Sequence, residues 1–88
     1  MATSAVLRKV DGERLAQDLN ETLAELEGEV VLDFSAVRRV PPAALRALEK
    51  LAAKSEEKAA TVVLRGISIE AYKVLKLARL SERFGFAR

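Results

Sequence analysis

Two short runs, EVVLDFS at residues 29–35 and ATVVLRGI at 60–67, place the tightest constraint on how this chain can fold. Both are rich in β-branched residues and too short for typical helices, so they read as strands. Each stands between segments whose apolar residues recur at steps of three and four. In DGERLAQDLNETLAELEG (11–28), Leu15, Leu19, Leu23 and Leu26 share one helix face, with acids near the start and Gly28 placed to end the helix. In ALRALEKLAAKSEEK (44–58), Leu45, Leu48, Leu51 and Ala52 form a second stripe. A third helix follows Ser68, an N-cap residue, with Glu70 adding negative charge in the first turn and Ile69, Tyr72, Leu75 and Ala78 facing inward. AVLRKV (5–10) reads as an edge strand. LSERFGFAR (80–88) closes the chain, with Phe84 and Phe86 expected to fold back onto the sheet edge.

The order β-α-β-α-β-α predicts an α/β layer fold: a small mixed β-sheet flanked by helices, joined by right-handed crossovers. Val30, Leu32 and Phe34 share one strand face while Val31 makes the other face apolar, which predicts a central strand covered on both sides. At 88 residues, with no linker and no internal repeat, residues 1–88 are expected to form a single domain.

Composition removes several function classes. The chain contains no cysteine and no histidine, so disulfides, thiolate nucleophiles and imidazole acid–base chemistry are out, and a structural zinc site loses its usual ligands. Fifteen basic and thirteen acidic residues leave a net charge of +2, too balanced for a nucleic-acid footprint. No apolar run approaches the roughly 20 residues of a membrane span, and MATSAVLRKV lacks the apolar core of a signal peptide. A cytoplasmic protein is expected.

Catalytic constellations are absent as well. Asp33, toward the C-terminal end of a strand, lies where reactive carboxylates sit in α/β sheets. A receiver domain would need another strand and helix between its acidic pair and its phosphoacceptor than separate Asp11 from Asp33. Asp33 is expected instead to cap its loop or to pair with Arg38 or Arg39. The four glycines are scattered singly, so none forms a phosphate cradle, and no serine has a histidine partner. The expectation is a protein without catalytic residues, metal or cofactor.

VRRVPPAALRAL (37–48) starts a helix in an unusual way. Pro42 suits the first helical position, where a missing N–H costs nothing, and Pro41 is held extended by the proline after it. The corner is built from backbone constraint, with no hydroxyl or carboxylate to cap it.

Residues 29–86 resemble the STAS domain, the module shared by anti-sigma factor antagonists and the tails of anion transporters. The resemblance rests on Leu32-Asp33-Phe34-Ser35, on Val40-Pro41-Pro42-Ala43-Ala44-Leu45, and on Leu75-Lys76-Leu77-Ala78-Arg79-Leu80 followed by Phe84. In that family the second segment carries an Asp-Ser-Ser/Thr-Gly-type motif whose hydroxyl is phosphorylated, and that position falls on Ala43. A methyl group cannot accept phosphate, so the charge that would reset such a surface cannot be added here.

The resemblance implies a non-catalytic, phosphorylation-independent interaction module in bacterial signalling or an accessory subunit. Its partner would be a switch kinase or anti-sigma factor, or a transporter ATPase. The partner face is expected at Pro41, Pro42, Ala43, Ala44, Arg46, Ala47 and Lys50. Arg46, Lys50 and Lys54 form a ridge there, with Arg38 and Arg39 at its foot. The ridge fits either an acidic partner or a solvated face offset by Glu49 and Glu57. Two other readings remain: a small-ligand or lipid-binding domain near Phe84 and Phe86, and a homodimer through the strand AVLRKV.

Overall fold

In a computed structural model, which describes residues 6–87, the chain alternates strand and helix through seven elements. The order is β1 (Val6–Lys9), α1 (Leu15–Ala24), β2 (Glu29–Asp33), α2 (Pro42–Glu57), β3 (Thr61–Arg65), α3 (Ile69–Leu77) and β4 (Gly85–Ala87). The α/β expectation holds, with two changes. The sheet is parallel throughout, not mixed, and the C-terminal segment adds a fourth strand. Ala5, the first residue of the expected edge strand, lies outside the described residues.

The strands lie in chain order, β1-β2-β3-β4. Crossovers of one hand between successive neighbours put their helices on one face of the sheet, and burial agrees. Val30 and Leu32 of β2 and Val62 and Leu64 of β3 are buried against the helices, whereas Val31 and Val63 between them are only half-buried. The expected burial of β2 on both faces is therefore corrected. Its second apolar residue, Val31, points to a side that no element among the described residues covers.

The core follows the leucine stripes. Leu15 and Leu19 of α1 and Leu48 and Leu51 of α2 are buried with Phe34, and the two helices pack against each other. Ala44, Ala47 and Ala52, nearly inaccessible, have little side-chain bulk to hold α2 away from its neighbours. Leu23 and Leu45 sit at the margin of the cluster. The first helix ends at Ala24, before Gly28, whose left-handed φ of 65° instead turns the chain into β2.

The third helix departs most from its expected face. Ala71 and Leu75 are buried, while Ile69 is 75% exposed and Tyr72 is at the surface. Phe84 enters the core. Phe86, on β4, meets the Tyr72 ring edge-on at 5.3 Å between centroids. The segment before β4 is tied to the last turn of α2 by Arg83, whose Nε and a terminal nitrogen donate to both Glu56 oxygens at 2.8 and 3.1 Å.

Candidate docking corner

The C-terminal ends of β1 and β2 lead into loops that meet beside the start of α2. After Phe34 the chain turns tightly, the Val37 amide donating to the Phe34 carbonyl at 2.9 Å. Val37 is buried and Val40 packs against the core margin, so the segment is pinned from below while Arg38 and Arg39 stay exposed. Pro41 then adopts φ −70° and ψ 162° as N-cap, with no side-chain cap, and Pro42 opens the helix. The Pro41 carbonyl accepts from the Leu45 amide at 2.9 Å, completing the first turn.

A hydroxyl from another element anchors this corner. Ser68 caps α3 by accepting from the Ala71 amide at 3.1 Å, and its hydroxyl also donates to the Arg38 carbonyl at 3.1 Å. One side chain therefore caps a helix and ties down the loop that leads into the prolines. The capping was legible in the sequence; the second bond was not, because it joins residues thirty positions apart.

The expected partner face divides in two. Pro41, Pro42, Ala43, Arg46 and Lys50 are exposed. Ala44 and Ala47 are buried, so they seat the helix and offer nothing to a partner. Lys54 is half-buried, which leaves Arg46 and Lys50 as the exposed part of the cationic ridge. At the foot, Arg39 lies 3.9 Å from Glu70, an ion pair of two largely exposed chains that contributes little. A shallow open cleft beside the prolines is lined by Asp11, Gly12, Glu13, Arg38, Arg39 and Pro41.

Asp33 takes the loop-capping role. Its Oδ1 accepts from the Ser35 amide at 2.9 Å, a local turn that fixes the exit of β2. Hydrogen bonding from Ser35, the amide foremost, holds its carboxyl below the usual 3.8, aided by the charges of Arg65 and Lys9 on the neighbouring strands. The cations beside it are thus cross-strand neighbours and not Arg38 or Arg39. Among the described residues, no group of three acidic side chains converges as a metal site would require.

What this defines is a small parallel α/β domain presenting a rigid, cation-flanked helix start. Comparison with known proteins says which such domain it is. The family model described as "Mlab, STAS domain" matches residues 4–86, and the chain belongs to that STAS family. An anti-sigma factor antagonist structure from Thermotoga maritima superposes with a TM-score of 0.70 at 13% identity, covering 98% of this chain and 74% of that one. A sulfate transporter family protein from Wolinella succinogenes gives 0.74 at 20% identity, covering 93% and 75%. No curated protein sequence matches.

Proposed function

We propose that this STAS domain is a non-catalytic, phosphorylation-independent docking module whose partner is an acidic protein surface seated on the start of α2. The observation that carries this reading is the exposed Pro41-Pro42-Ala43 corner, with Arg38, Arg39, Arg46 and Lys50 around it and no hydroxyl on it. The start of α2 has no side-chain cap and carries the positive end of the helix dipole beside these cations. Anionic groups are favoured there twice over.

Family membership supports an interaction role, and the two structural neighbours bear names from sigma-factor control and sulfate transport. A switch kinase or anti-sigma factor, or a transporter ATPase, is the corresponding partner for this chain, in the cytoplasm. No helix among the described residues is long and apolar enough to cross a membrane. The small-ligand reading near the aromatic residues is weaker, because Phe84 is committed to the core and only Phe86 remains accessible.

Two substitutions test the corner. Ala43→Asp places a carboxylate in the first turn of α2, where it stabilises the helix by about 0.3–1 kcal/mol and opposes an acidic partner. The expected result is a slightly raised Tm together with reduced recovery of partner from native cells. The pair Arg46→Glu and Lys50→Glu should reduce recovery further, with unchanged circular dichroism. An unchanged partner set from both proteins would exclude this corner as the docking site.

A further inference from the structure

The face of the sheet opposite the helices carries its own pattern. Parallel register aligns Leu7, Val31, Val63 and Gly85 in one row across it, and Lys9, Asp33, Arg65 and Ala87 in the next. Leu7 is 58% exposed and Val31 and Val63 are partly so. Wholly parallel sheets are normally covered on both faces. Here three helices follow the strands, and among the described residues no element covers the apolar row on the other side.

We infer that a second copy of this chain covers that face, related by a two-fold axis running along the strands between β2 and β3. Such an axis keeps like rows together and reverses strand order. Val31 then faces the other copy's Val63, and Leu7 faces its Gly85, so that the bulky residue of the row meets the one position without a side chain. In the charged row, Asp33 faces the other copy's Arg65, twice per dimer. Lys9 faces Ala87 and Glu29 faces Thr61. No like charges are opposed.

The other face-to-face two-fold, with its axis across the strands, reverses the rows instead. It sets Asp33 against Glu29 of the other copy and stacks Leu7 on Leu7. Charge and shape both select the first arrangement. Four strands about 4.8 Å apart and three to five residues long give a footprint of roughly 270 Å². That is well below the roughly 800 Å² per partner of a standard interface, so association is weak and concentration-dependent. The docking corner stays free, because Arg46 and Lys50 lie on the helical side.

The absence of native cysteine makes the test direct, since each introduced thiol is the only one in the chain. Val31→Cys, Val63→Cys, Leu7→Cys and, as a control on the outer side of α2, Ala53→Cys are treated with a short bis-maleimide at about 0.5 mM protein, enough to populate a dimer with Kd near 10⁻⁴ M. The proposed axis puts the two copies of residue 31, and of residue 63, about one strand spacing (~5 Å) apart sideways, and the two copies of Leu7 about three spacings (~14 Å). Val31→Cys and Val63→Cys should cross-link well above Ala53→Cys, and Leu7→Cys should not. Arg65→Glu, added to Val31→Cys and checked for folding by circular dichroism, should slow cross-linking about tenfold by opposing like charges. Rapid cross-linking of Leu7→Cys would indicate edge pairing of β1 or the other two-fold and overturn the inference. So would Val31→Cys reacting no faster than Ala53→Cys, or an unchanged rate in the folded Arg65→Glu protein.

Discussion

At two helix ends a residue with a side chain occupies a conformation that suits glycine. Ala59 has φ 55° and Arg79 φ 62°, each one place beyond a helix C-cap. Behind them the Ala60 amide donates to the Ser55 carbonyl and the Leu80 amide to the Leu75 carbonyl, both at 2.8 Å. These are Schellman closures, and in the second Leu80 and Leu75 are both buried, adding the usual apolar contact. The left-handed conformation costs an L-residue about 1–2 kcal/mol, of which glycine returns part through unfolded-state entropy. Ala59→Gly is therefore expected to stabilise the fold by about 0.5–1 kcal/mol, read as a higher urea midpoint. Ser68→Ala acts oppositely: losing the α3 cap costs about 1 kcal/mol, and the bond to the Arg38 carbonyl goes with it. Combining Ser68→Ala with partner capture would show how far the docking corner depends on that tether.

Among the elements, β4 depends most on its neighbours. Three residues long and exposed, it is held by pairing with β3, by the buried Phe84 before it and by the Arg83–Glu56 fork. The Arg83 hydrogen bonds hold the Glu56 carboxyl below its usual 4.5. A depressed carboxylate contributes stability that is full above its unfolded pKa and disappears as pH falls through the folded value. The wild type should thus exceed Glu56→Gln in Tm at neutral pH, with the gap closing as pH falls below about 4.5. Thermal melts of both proteins across that range check the sign. A gap that widened on acidification would mean the fork does not form.

For the whole molecule, one layer of helices on one sheet face leaves a single modest core. Phe34, fully buried at the exit of β2, is among its largest members. Phe34→Ala should cost about 3–5 kcal/mol, a large part of the roughly 4–13 kcal/mol available to a chain of this size. Urea titration followed by circular dichroism should then show a much lower midpoint. The same one-sided construction separates two surfaces: a cation-flanked corner at the start of α2, and an apolar row on the sheet face away from the helices. The two proposed surfaces do not overlap, so simultaneous occupancy by a partner and a second copy is the expected outcome.

The amino-acid sequence alone determined the order of the first six elements, the leucine stripes of α1 and α2, the Pro41-Pro42 start and the Ser68 cap, because each is written within one turn or one strand of chain. Ile69 and Tyr72 misled: Leu75 and Ala78 of the expected stripe do turn inward, but a four-residue step back from Leu75 reaches Ala71, and three-residue spacing cannot say that this step and not the one to Tyr72 is buried. Gly28 misled similarly, being needed for the turn into β2 and not for the end of α1. Val31 read as buried because alternation cannot reveal whether anything covers a sheet's second face. Tertiary structure alone decided the parallel register, the fourth strand, the Ser68–Arg38 tie and the burial of Ala44 and Ala47. All of these follow from pairings between segments distant in sequence, and local pattern carries no information about which strand will lie beside which.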